Sequence, residues 1–512
     1  MAVFSSVRRN LVVAACLSLL LLAGFLNARD SFDMERFESI NPFQANKTAQ
    51  NAFPSYSNSG KKRSRLHFLI PASNSNLNFC YHLASAAANR YPVPTLIGWN
   101  GEGEMNIAQT HLAKLRAVKR YLDSLDVAEA DDLILMADGY DIIHQLPPEV
   151  VIERYFELVR EANEYLAQRM GLSVKEMKKK GTHQTIFFGP DKVCFPDDDE
   201  NAARCWAAPA SLLGPDPFGP STDDVASKDP RWLNSGTIIG PVSDLSKVID
   251  ASIHEINVTY SQDYWQRDSD QYYLANLFGR QEYWRNRMFL QQVDTDEKHI
   301  IPEKESDTQE TEFHMAIEYE SSLFQTKNGN EMFTGHLQYN LADQTANVNI
   351  DLFEKGESFR PYPIKMPDNV RDALLKLFDS VPDAHPEVSG EEWIRLAHLG
   401  TNFVTKHIYG LWHCTGAKES LDFDYAKMWF YPFVKSLLRE TAKAWQGQDP
   451  ISTKLIDGRI WFPKRSYHET GVVNDEYGGG WSDESPHKFV TWREMCGHHE
   501  DMLFWGQQAT GL

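Results

Sequence analysis

From Leu66 onward, short apolar runs alternate with amphipathic stretches of helical period. Leu66–Ile70 reads as a strand ending at Pro71, and Leu77–Asn89 as a helix. Thr95–Trp99 is again strand-like and opens into the glycine-rich turn Asn100–Gly103. His111–Leu125 carries its apolar residues at helical spacing, and Asp132–Ala137, apolar throughout after its opening aspartate, predicts a buried strand. Pro147 and Pro148 open a helix that reaches about Met170, because proline at the first helical position gives up no helical hydrogen bond. Thr185–Phe188 and Thr237–Ile239 complete the apolar strands. This β-α-β-α-β order predicts an α/β fold with a mainly parallel sheet and helices on both faces. Ligands bind such sheets beyond the carboxyl ends of the strands, so the loops after strands are where chemistry is expected.

The N-terminal pattern is different. Leu11–Leu26 is apolar and uncharged, preceded by Arg8 and Arg9 and followed by Asp30, Asp33, Glu35 and Glu38. The run is short for a spanning helix but within reach of a thin ER or Golgi bilayer, and the arginine pair places the N-terminus in the cytosol. A cleaved signal peptide is the alternative; its cleavage site needs two small residues, and Leu26–Asn27–Ala28 supplies one. The favoured reading is a single-pass type II protein: cytoplasmic tail 1–10, signal anchor 11–27, polar stem 28–65, and a lumenal body in the ER or Golgi. Sequons at Asn46-Lys47-Thr48 and Asn257-Val258-Thr259 agree with a lumenal body.

Composition changes the picture in two ways. With 42% hydrophobic and 12% aromatic residues, the chain can bury a large core. A net charge of −20 argues against a nucleic-acid partner. An acidic protein that binds an anionic ligand needs a local correction, such as a divalent cation with a few placed lysines. The cysteines are Cys16, in the anchor, and Cys80, Cys194, Cys205, Cys414 and Cys496. None shows the C-x-x-C spacing of a metal site, and Cys194 and Cys205 bracket a polar loop that a disulfide could close.

Three groups of residues carry candidate chemistry. Asp138-Gly139-Tyr140-Asp141 directly follows the buried strand ending at Ala137. Two carboxylates three apart on a tight turn can hold a hard cation such as Mn2+ or Mg2+ against phosphate oxygens, and Tyr140 offers a ring to a base. Without a metal, the same pair would be a turn cap and a solvated charge. His413-Cys414-Thr415-Gly416-Ala417-Lys418 again follows an apolar stretch. It combines an imidazole ligand, a glycine that lets phosphate approach the backbone, and a lysine counter-charge. Leu233-Asn234-Ser235-Gly236 suits sugar hydroxyls, and Asp268-Ser269-Asp270-Gln271 precedes an apolar-aromatic helix. There Asp268 and Asp270 either face a sugar or merely stabilise the helix N-terminus.

Taken in order, these stretches resemble the glycosyltransferase domain of the procollagen lysyl hydroxylases, a GT-A fold, and more distantly glycogenin-type retaining transferases. Lys114-Leu115-Arg116, Asp138 to Asp141, Phe188 to Pro196, Leu233 to Gly240, Asp268 to Gln271 and His413 to Lys418 carry the likeness. The resemblance implies a GT-A domain over 66–440, with 441–512 as an extension of no assigned role. It implies that Asp138, Asp141 and His413 ligate Mn2+ or another divalent cation. Lys114, Tyr140, Asn234, Gly236, Gln271, Gly416 and Lys418 would bind the donor, and Asp268 and Asp270 would act at the sugar. It further implies a UDP-hexose donor, transfer with retention, and a protein or glycan acceptor.

The chain departs from that family where the dioxygenase half is absent, where Phe195 replaces a tryptophan, and where Ser269 interrupts the acidic run. Two rival classes are a non-catalytic nucleotide-sugar or partner-binding member of the same fold and a metal-dependent phosphoester hydrolase. The latter generally needs a second set of ligands, and the sequence offers none of that pattern. In the tail, His498, His499 and Glu500 read as a non-ligating exposed group, since adjacent side chains on a regular element diverge.

Overall fold

Apolar runs that alternate with helices assemble a nine-stranded mixed sheet. Its strands are β1 (Lys62–Pro71), β2 (Thr95–Ile97), β3 (Leu133–Ala137), β5 (Ile186–Asp191), β6 (Trp232–Pro241), β7 (Met315–Ile317), β14 (Arg459–Pro463), β15 (Gly479–Ser482) and β16 (Phe489–Thr491). A second sheet contains β4 (Ile142–His144), β8 (Phe324–Thr326) and β13 (Leu411–His413). Two ribbons pair β9 (Thr334–Gln338) with β12 (His398–Asn402), and β10 (Thr345–Val348) with β11 (Tyr362–Lys365). The computed structural model describes residues 62–505 apart from 197–198, 264, 293, 448, 468–475 and 485. All of these belong to one of the two units of the chain, Pro54–Leu512. The anchor expected at 11–27 and the Asn46 sequon lie outside the described residues, among which no helix is long and apolar enough to cross a membrane.

The sheet is mostly parallel. β1 pairs in parallel with β3 on one side; on the other its first half pairs with β14 and its second half with β2. The exceptions are β6, antiparallel to both β3 and β5, and β16, antiparallel to β15. Alternate residues feed two apolar layers. Leu69, Ile134, Met136, Phe188 and Ile238 pack on helices Leu112–Asp123, Val242–Thr259 and Asp270–Leu290. On the other face Phe68 meets His82 of helix Leu77–Ala88, and Phe187 meets Tyr155 of helix Pro148–Arg169. The first of these helices starts where the Asn76 side chain accepts the Phe79 amide at 2.9 Å, and the second has its proline in the first turn.

Two boundaries move. Lys62–Arg65, expected in the stem, are the start of β1 and pair with β14. The stretch expected as an extension from 441 supplies β14, β15 and β16 to the central sheet, and helix Val434–Gln446 runs through the expected boundary. A disulfide from Cys80 to Cys496 ties that C-terminal region to helix Leu77–Ala88. Cys194 and Cys205 form the second disulfide, and Cys414 is a free, buried thiol.

Candidate metal centre at the carboxyl end of the sheet

β1, β3 and β5 all point their carboxyl ends to one edge, and β6, running the other way, brings its first residues there. Asp138 is the first residue past β3. Its amide donates to the Gly236 carbonyl at 2.8 Å, which extends the β3–β6 ladder by one step and sets Gly236 opposite Asp138. The chain then turns through Gly139, where any Cβ would lie 2.4 Å from the Pro71 carbonyl oxygen. Asp141 leads into β4. Because β4 pairs antiparallel with β13, His413 comes opposite Ile142, and the Cys414 amide closes the ladder on the Asp141 carbonyl at 2.8 Å. Long-range pairing therefore carries the histidine to the two aspartates.

One ligand atom from each of Asp138, Asp141 and His413 lies within 4.8 Å of the others. His413 Nε2 is 3.3 Å from Asp141 Oδ2. The Asp138 side chain is 33% exposed, whereas those of Asp141 and His413 are 10% and 4% exposed, so the group opens on the Asp138 side. Burial works against the charge of Asp141, but the His413 ring and the Lys418 ammonium more than offset it and hold the carboxyl well below its usual range. Asp141 Oδ1 is buried with no hydrogen-bond partner. Gly236 keeps the space between the ligands open: a Cβ there would lie 2.3 Å from His413 Cε1 and 2.9 Å from both His413 Nε2 and Asp138 Oδ2. An orphaned carboxylate oxygen, an open cradle and a donor set of two carboxylates with one imidazole fit a divalent cation.

Lysines frame this group. Lys114 is buried, with its ammonium 2.8 Å from Asp138, 2.6 Å from Asp270 and 3.1 Å from the Ser235 carbonyl. Burial would lower its pKa, and the two carboxylates more than offset that and raise it well above the ordinary value. Lys418 pairs with Asp141 and donates to the Cys414 carbonyl at 2.8 Å, with its side chain 42% exposed. Gly416 sits in the same loop at a φ of +74°, a conformation that favours glycine. Tyr140 is half-buried, with its hydroxyl donating to the Asn74 carbonyl at 3.0 Å and its ring near Phe79.

Of the remaining expected residues, Asn234, Gln271 and Asp270 come to this edge. Gln271 Oε1 accepts the Ser235 amide at 3.2 Å, and Asn234 Oδ1 accepts the Gly236 amide at 2.9 Å. Asp270 is held by Lys114, while Asp268 is exposed and accepts from the Tyr260 hydroxyl at 3.0 Å. Of the two acids expected to act at a sugar, only Asp270 is thus linked to the metal group, through Lys114, which also pairs with Asp138. His498, His499 and Glu500 form no candidate metal group among the described residues, and Glu500 accepts from the Trp492 ring nitrogen at 3.0 Å.

Asp191, the last residue of β5, was not singled out in the sequence. It accepts from Asn234 Nδ2 at 3.0 Å and Gln271 Nε2 at 3.4 Å, and burial raises its carboxyl above the ordinary value against those hydrogen bonds. The available signal was its position, since Asp191 follows an apolar strand as Asp138 does. No protein-family model matches this chain, and no curated protein matches it significantly.

Proposed function

We propose that this chain is a metal-dependent glycosyltransferase of the GT-A type that takes a nucleotide-sugar donor, UDP-hexose in the first instance, and passes the sugar to a protein or glycan acceptor. The observation that carries this reading is the convergence of Asp138, Asp141 and His413 on the carboxyl edge of the sheet, with Lys418 and Tyr140 beside them. Mn2+ is the cation proposed for the two carboxylates and the imidazole. Bound there, it would neutralise the donor diphosphate and make the nucleoside diphosphate a competent leaving group.

The chain's own residues supply the rest. Lys418 is exposed enough to exchange Asp141 for a phosphate oxygen, adding positive charge where negative charge grows as the glycosidic bond breaks. Tyr140, fixed through its hydroxyl, presents a ring edge or face to the base. Lys114 is committed to Asp138 and Asp270, so its role is to hold the metal-binding carboxylate in place. Asp270 is accordingly a positioning residue. Asp191, with amide partners from Asn234 and Gln271, is the carboxylate proposed to address the sugar. The two disulfides suit the oxidising lumen proposed for the body, and Asn257 is exposed for glycosylation there.

Incubating the full chain with a panel of nucleotide sugars and Mn2+ and measuring released nucleotide tests the reading. UDP-hexose is expected to be turned over and chelator to stop it. Tight UDP binding with no release from any donor would leave a binding protein on the same fold. Within the reading, Asp191→Asn is expected to leave UDP affinity within a few-fold and to lower kcat by roughly 100-fold or more, since the group would act mainly in the transition state. Equal turnover of wild type and Asp191→Asn would remove the carboxylate from the chemistry.

A further inference from the structure

The opposite edge of the sheet carries another set of ligating side chains. His183 precedes β5, His314 precedes β7, and Asp244 lies in the first turn of helix Val242–Thr259, directly after β6. β5 and β7 are parallel neighbours and β6 is antiparallel to β5, so the start of two strands and the end of the third meet here, at the end of β5 remote from Asp191. One ligand atom from each residue lies within 4.8 Å of the others.

We infer that His183, Asp244 and His314 form a second metal site, for a zinc-class divalent ion that pins the starts of β5 and β7 to the helix after β6. Hydrogen bonding around His314 is the first support. Its Nε2 lies 3.1 Å from the Gly181 carbonyl, which can only accept, so Nε2 carries a proton. In the neutral ring Nδ1 is then a bare lone pair. His314 is 92% buried by its 8% exposure, and Nδ1 has no hydrogen-bond partner. It faces Asp244 Oδ2 at 3.3 Å, and that oxygen already accepts from the Thr185 hydroxyl at 2.6 Å. Two lone-pair donors at this distance need a cation between them or a second proton on the ring.

The spacing suits the cation. Zinc bonds of about 2.0–2.1 Å at tetrahedral angles place neighbouring ligand atoms about 3.3 Å apart. The His183 and His314 rings are neighbours, tilted by 30° with centroids 3.6 Å apart, and one nitrogen of each lies within 4.8 Å of the other and of an Asp244 oxygen. A ligating imidazole typically donates its other nitrogen to a backbone carbonyl, and a ligating carboxylate is itself hydrogen-bonded; Gly181 and Thr185 play those parts here. Two imidazoles and one carboxylate favour zinc over the harder ions suited to Asp138 and Asp141. In the buried group His67, Glu129 and Asp132, His67 Nε2 also faces Asp132 Oδ2, at 3.5 Å, but the Tyr121 hydroxyl, 2.9 Å from Nδ1, can donate there and leave the ring proton on Nε2, and Lys464 already pairs with Glu129.

The test is elemental analysis of the full chain after dialysis into metal-free buffer. One zinc per chain is expected in the wild type and in Asp141→Asn. His314→Gln and His183→Ala are expected to lose it, by more than the roughly 10-fold in affinity that removal of an outer partner costs. Zinc added to the stripped chain is expected to raise Tm for the wild type and Asp141→Asn but not for either histidine variant. His183 is only partly buried, so its replacement keeps the test valid if His314→Gln does not fold. A wild type that retains no divalent ion and gains no Tm from zinc would leave a protonated His314–Asp244 pair and overturn the site. Zinc that departs with Asp141→Asn and stays in His183→Ala would overturn it too, and retained iron would overturn the choice of metal.

Discussion

Asp141→Asn is expected to abolish Mn2+-dependent nucleotide release while leaving the protein folded. The residue is nearly isosteric, so the antiparallel step in which the Cys414 amide bonds the Asp141 carbonyl survives. What is lost is the charge facing His413 and Lys418 and one anionic ligand of three. Because the side chain is 10% exposed and one of its oxygens has no hydrogen-bond partner, water cannot easily replace it. Removing a single preorganised electrostatic group from such a site typically lowers kcat by about 100- to 1000-fold. Asp138→Asn is expected to act in the same direction but less completely, since Asp138 is one-third exposed and its charge is shared with Lys114. Stability falls as well, because a carboxyl held below its usual range by His413 and Lys418 favours the folded state at neutral pH and the amide loses that charge. Release of nucleotide from UDP-hexose over a Mn2+ titration, beside a thermal melt, reads both effects. Full turnover by protein shown to be metal-free, or by Asp141→Asn at wild-type Mn2+ concentration, would end the metal-dependent reading.

Much of this site was legible in the sequence, for identifiable reasons. Leu133–Ala137 is buried on both faces, so its unbroken apolar run declared a central strand, and an acid pair directly after such a strand sits where ligands bind. His413 was visible as a histidine at the end of an apolar run. That it would meet Asp141 depended on the β4–β13 register, a pairing with no local signature. Strand direction was equally invisible: a run such as Thr237–Ile239 is buried on both faces whether its neighbours run parallel or antiparallel, and β6 is antiparallel to both. β15 was hidden by its own composition. Gly479 and Gly480 carry no apolar side chain to mark a strand, yet a Cβ at Gly479 would lie 2.1 Å from the Val490 carbonyl oxygen, so close strand approach is what calls for glycine there. Asp270 illustrates the converse difficulty. An acid at a helix N-terminus is unremarkable in sequence, and its ion pair with Lys114, which reaches on to Asp138, is a tertiary fact.

Gly236→Ala is expected to remove metal binding at a modest cost in stability, and this separates the geometry of the site from the identity of its ligands. The substitution leaves all three ligands in the sequence and adds one methyl group. That methyl would lie 2.3 Å from His413 Cε1 and 2.9 Å from Asp138 Oδ2, well inside contact distance, so a ligand or the strand must give way. β6 is held on this step by the Asp138 amide on the Gly236 carbonyl and by the Asn234 side chain on the Gly236 amide. β13 is held between β4 and β8. The least constrained response is rotation of the His413 ring or of Asp138 away from the shared position, and either breaks the ligand set. Overpacking of this kind costs about 1–3 kcal/mol of stability, whereas misplacing a ligand is expected to weaken Mn2+ by roughly 10- to 100-fold or more, at least what loss of an outer-shell partner costs. Gly240→Ala, further along the same strand, is the control. Its Cβ would meet Ile186 at 3.0–3.1 Å, a milder crowding away from Asp138 and Asp141, and should lower stability without changing the Mn2+ requirement. Titrating Mn2+ into both variants while following nucleotide release distinguishes them. If Gly236→Ala needed no more Mn2+ than the wild type, His413 and Asp138 could not share an ion, and the centre would have to be built from Asp138 and Asp141 alone.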